Sequence, residues 1–135
     1  MAAIAETCHE TRPQTLFLLN STVLFTHQID AAYWHEWNLF HLPGGNQLNL
    51  ILNLPIIALV LLAFLQVATR SPHQRLCHQF LAGLGLLTVT IHSGFFLTGH
   101  PEFLQPMSLL LLAATLVLSV TQWMTLPSPS HSTQT

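Results

Sequence analysis

The sequence predicts an all-α membrane protein: a four-transmembrane-helix bundle running up-down-up-down, with both termini in the cytoplasm. Three observations predict it. Half of the residues are apolar and only 6% are charged, with no lysine, whereas a soluble domain carries about a quarter charged residues. Mostly apolar segments recur at roughly 14–35, 46–68, 76–98 and 104–126, each near the ~20 residues that a helix rising ~1.5 Å per residue needs to cross the hydrocarbon. The links between them are short, which favours sequential antiparallel neighbours.

Residues 1–13 form a short cytoplasmic segment. It lacks the basic start of a signal peptide, and no small-residue cleavage site follows the next apolar run, so the first span is expected to be retained. That span, TLFLLNSTVLFTHQID and onward, is the least hydrophobic, because Asn20, His27 and Asp30 interrupt it. It depends on its neighbours to shield those groups. The turn Pro43-Gly44-Gly45 leads into the second span, whose core ILNLPIIALVLLAFLQV is among the clearest apolar runs. Arg70-Ser71-Pro72 opens the next link, the third span carries Gly83 and Gly85, and His100-Pro101-Glu102 precedes the fourth. Small residues such as these glycines let helices approach closely. The tail 127–135, PSPSHSTQT, has no apolar content and reads as disordered.

Charge sets the orientation. Arg12, Arg70 and Arg75 all fall on the side of the termini, so the positive-inside rule places that side in the cytoplasm, as in a bacterial inner membrane. Trp34 and Trp37 then anchor the outer interface and Trp123 the inner one. Cys8 and Cys77 lie on the reducing side without metal-type spacing and read as free thiols. The scattered arginines exclude a nucleic-acid surface, which needs clustered cations against phosphates. The partners expected are the lipid bilayer and either further copies of the chain or a membrane complex.

The same topology gathers polar residues in the outer half of the membrane. His27 and Asp30 of the first span, Asn49 and Asn53 of the second and His92 of the third lie there, with His27, Asn53 and His92 each ~10 Å deep at ~1.5 Å per residue. Helical spacing puts His27 and Asp30 on one stripe, and Asn46, Asn49 and Asn53 on another. Outer-loop groups His35, Glu36, His41, His100 and Glu102 form a rim above them. The remaining loop histidines, His73 and His78 included, read as solvated.

Ionisable side chains inside a span cost about 2.5 kcal/mol or more and persist when paired or functional. Three chemistries compete for this cluster. An interhelical hydrogen-bond network would make the chain a non-catalytic accessory or scaffold subunit. A divalent metal (Zn, Fe or Mn) held by His27, Asp30, His92 and His100, with Asn49 and Asn53 as second-sphere amides, would suit imidazole and carboxylate ligands. Glu36 and Glu102 would then be candidate proton carriers. Haem b between His27 and His92 is the third. No hydrolase, nucleotide-binding or zincin motif appears, and no internal repeat suggests a carrier.

The run Thr26-His27-Gln28-Ile29-Asp30-Ala31 followed by His35-Glu36-Trp37, with His92 and His100-Pro101-Glu102-Phe103 later, resembles an uncharacterised bacterial family of small four-span membrane proteins. Its first span carries a Thr-His-Glu-Leu-Asp-Ala-like motif ending in Glu-Trp. The resemblance covers about residues 15–125 and implies a four-helix membrane protein without naming a reaction. It marks His27, Asp30, Glu36, His92 and His100 as positions of interest. Gln28 stands where the pattern has Glu, which removes one acid from a metal site.

Overall fold

A computed structural model describes residues 12–41, 43–99 and 105–126. All regular structure among the described residues is helical: α1 (Arg12–Tyr33), a single 3-10 turn (Glu36–Asn38), α2 (Asn46–Ala68), α3 (Gln74–Leu97) and α4 (Pro106–Met124). Three of these, α2, α3 and α4, are long and apolar enough to cross a membrane. Helix α1 matches them in length with 22 residues but carries Asn20, His27 and Asp30. The segment before Arg12, the tail 127–135, His100 and Glu102 lie outside the described residues.

Local chemistry explains the ends. Helix α2 closes with Arg70 in the left-handed region while Ser71 N–H donates to the Gln66 carbonyl and Arg70 N–H to that of Val67, a paired arrangement that satisfies the last carbonyls. Helix α4 opens on Pro106, where the missing N–H would have had no helical partner anyway. Pro55 sits inside α2 without ending it. Helices in a membrane tolerate such a residue when neighbouring groups take up the freed carbonyl.

Helix α1 packs against α2 and α4, α2 against α3, and α3 against α4, closing a ring that α1 and α3 also touch across. Side-chain pairs give the directions. Phe17 meets His78 and His27 meets His92, so α1 and α3 run parallel. Gln14 at the start of α1 donates to the Ala68 carbonyl at the end of α2, and Asn20 meets Gln122 near the end of α4. Alternate helices therefore reverse.

The distribution of polarity is inverted relative to a soluble bundle. Phe17, Leu24, Val60, Ala63, Val67 and Leu81 form an apolar core. Beside it, Asn20, Ser21, His27, His78, His92, Thr115, Ser119 and Gln122 are buried, whereas Leu50, Leu54, Leu61, Leu87, Leu110 and Val117 are exposed. An outward apolar surface with polar groups turned inward fits a lipid solvent, where polar contacts and small residues hold helices together.

Candidate metal centre

Buried positions on α1 follow helical spacing, with Phe17, Asn20, Leu24, His27 and Ala31 on one side. On α3 the buried set is His78, Leu81, Ala82, Gly85 and His92. Because these two stripes face each other across the ring, His27 and His92 stack edge to face with ring centroids 4.6 Å apart. The chain then leaves α1 through His35, whose φ of 56° reverses its direction. The 3-10 turn is closed by Asn38 N–H donating to the His35 carbonyl at 2.9 Å and Leu39 N–H to that of Glu36 at 2.9 Å. This folds Glu36 back over the bundle end, where it is buried together with Trp37.

Glu36 Oε1 lies 3.0 Å from His92 Nε2. His27, Glu36 and His92 each offer a ligand atom, and these three atoms all lie within 4.8 Å of one another. The other nitrogen of His92, Nδ1, is 2.8 Å from the Thr88 carbonyl. A carbonyl only accepts, so Nδ1 carries the proton. In a neutral His92, Nε2 would then present a lone pair to a carboxylate oxygen. The contact is attractive only if His92 or Glu36 takes up a further proton, or if a cation is shared between them. His27 Nδ1 is buried and without a hydrogen-bond partner among the described residues.

Asp30 lies one turn beyond His27 and is half-buried, outside the group of three ligand atoms. On α2, Asn53 Nδ2 donates to the Asn49 carbonyl and to Asn49 Oδ1, both at 2.9 Å, so these amides bond each other along their own helix. The His27 and His92 rings, the pair expected to flank a haem, are in direct edge contact at an interplanar angle of 76°.

A family model described as "Family of unknown function (DUF6713)" matches residues 13–128. The chain belongs to DUF6713. The matched region contains all of His27, Glu36 and His92 and nearly the whole of every helix. No curated protein and no solved structure matches the chain.

Three residues of this DUF6713 member lie elsewhere than a reading of its sequence places them. Glu36 reads as a rim group because it follows the first span; only the His35 reversal turns it inward. His78 reads as solvated, but it is 2% exposed. It lies fourteen residues before His92 on α3, four helical turns, and therefore on the same inward stripe. That periodicity was the available signal. Trp37, expected as an interface anchor, is also buried, with its indole against the turn at Gly45.

Proposed function

We propose that this DUF6713 chain is a four-span protein of a bacterial inner membrane, with cytoplasmic termini, that binds one divalent first-row metal through His27, Glu36 and His92. The observation that carries this reading is the convergence of three buried donors from α1, the 3-10 turn and α3. A metal held ~2.0–2.2 Å from each ligand requires only a modest contraction of such a group. Two features add support. The Nδ1–H of His92 bonded to the Thr88 carbonyl is the outer contact that orients metal-ligating histidines, and His27 Nδ1 has no hydrogen-bond partner among the described residues. Two imidazoles and one carboxylate suit Zn, Fe or Mn with a position left open. Asp30 or His100 would fill that position. With Glu36 as ligand, Glu102 becomes the candidate proton carrier, should the metal polarise a substrate or activate water.

A second reading is favoured by the direct Glu36–His92 contact at 3.0 Å, which a shared proton satisfies without an ion. The cluster would then only fix helix packing in an accessory or scaffold subunit. Metal analysis of the detergent-purified protein separates the two. We expect about one equivalent of metal in wild type and a loss of tenfold or more in the His27→Ala/His92→Ala double variant. Substoichiometric metal in wild type after growth and purification in Zn, Fe and Mn, or equal metal in both proteins, would leave the scaffold reading in place.

A further inference from the structure

The opposite end of the bundle holds a second buried cluster that the metal reading does not use. Asn20 of α1, His78 of α3 and Ser119 and Gln122 of α4 are each 2% exposed or less. Their hydrogen bonds have a defined direction. The Gln122 side-chain nitrogen lies 2.9 Å from His78 Nδ1 and 3.4 Å from the His78 backbone carbonyl. A carbonyl accepts only, so the group facing it is the amide NH2, and Gln122 Oε1 turns to accept from Asn20 Nδ2 at 2.7 Å. His78 Nδ1 is therefore an acceptor. In the neutral ring the proton is on Nε2, which is buried and has no hydrogen-bond partner among the described residues. A buried donor without an acceptor is a standing cost that a ligand can remove.

His78 lines a cavity of about 480 Å³ together with Arg12, Pro13, Leu16, Thr121 and Thr125, within the ~300–1,000 Å³ of small-ligand clefts. The Arg12 guanidinium makes no hydrogen bond or ion pair among the described residues. Arg70 and Arg75 stand at this same end, beyond α2 and in the first turn of α3, whereas the described acids, Asp30 and Glu36, lie at the other. The cavity is thus lined by a guanidinium that has no ion-pair partner among the described residues and by a histidine whose buried ring N–H has no acceptor among them, at the arginine-bearing end of a bundle with an apolar exterior.

We propose that this cavity binds a phosphate-bearing anion, with Arg12 as its charge partner and His78 Nε2–H as the donor that distinguishes it from a bulk counter-ion. A guanidinium pairs well with phosphate oxygens, and charge-assisted bonds of this kind are about twice as strong as neutral ones. The phosphate could belong to a lipid headgroup or be free in solution. The proposal stands apart from the metal at the other end.

The test is a titration of full-length protein in neutral detergent, followed by nitrogen-15 NMR of labelled histidines. Three probes are added separately: a short-chain phosphatidylglycerol, inorganic phosphate, and the matching diacylglycerol without phosphate. We expect a saturable shift of the His78 Nε2–H signal with phosphatidylglycerol and an affinity about tenfold lower in Arg12→Gln. A shift with the lipid alone identifies a headgroup site, and the same shift with inorganic phosphate identifies a free-anion site. Arg12 is exposed at the helix start, and circular dichroism verifies that the variant keeps its helices. An equal shift with diacylglycerol, or an unchanged affinity in Arg12→Gln, would overturn the proposal. So would a His78 signal that ignores all three probes.

Discussion

At the level of single residues, the two buried clusters differ in what their atoms still require. The Asn20, Ser119, Gln122 and His78 chain is internally consistent apart from one donor. In the His27, Glu36 and His92 group, a cation or an added proton would make the Glu36–His92 contact attractive. Gly85 shows how tightly the first of these is packed. A Cβ there would collide with Ser119 Oγ and come within 3.2 Å of Ser119 Cβ and Thr115 Cγ2, whereas at Gly83 it would meet nothing within 4 Å. We therefore expect Gly85→Ala to destabilise the bundle by about 1–3 kcal/mol through overpacking. Gly83→Ala should stabilise by up to ~1 kcal/mol, because alanine loses less backbone entropy in a helix. Unfolding titrations in mixed micelles compare the two; equal effects would mean that α3 and α4 are not in contact at Gly85.

At the level of elements, the connection from α1 to α2 does more than join helices. His35, His41, Gly44 and Gly45 all take positive φ, and these reversals fold the chain back so that Glu36 enters the bundle end. Gly45, with φ 57° and ψ −133°, occupies a region that side chains avoid, and a Cβ there would lie 3.6 Å from Trp37 Nε1. Gly45→Ala should cost about 1–3 kcal/mol of local strain and displace the turn that holds Glu36. The expected result is a fall in bound metal with helix content retained, read by metal analysis beside circular dichroism. Full metal content would separate the turn from the site. The helices themselves were legible in the sequence because apolar length and 3.6-residue spacing are local properties. Glu36 was not, because its inward direction depends on a positive φ at His35 that a non-glycine residue does not announce.

At the level of the whole molecule, polar groups turned inward and leucines turned outward describe a protein built for lipid. The arginines predict which end faces the cytoplasm, and labelling checks it. Single cysteines at Asn38 and Ser71, in a background without Cys8 and Cys77, should react from outside and inside respectively. The opposite pattern would move the His27, Glu36 and His92 cluster to the cytoplasmic side without dispersing it, since these residues are joined by contacts rather than by orientation.

The sequence by itself determined the membrane class, the helical segments and the level at which His27 and His92 meet. Each follows from composition, length and rise per residue. Only the tertiary structure decided which groups converge: Glu36 rather than Asp30 beside His92, Asn49 bonded to Asn53, and His78 inside rather than in solvent. Depth along a helix is additive in sequence, but the pairing of side chains depends on helix rotation and loop reversal. Those are set by the packing of all four helices at once.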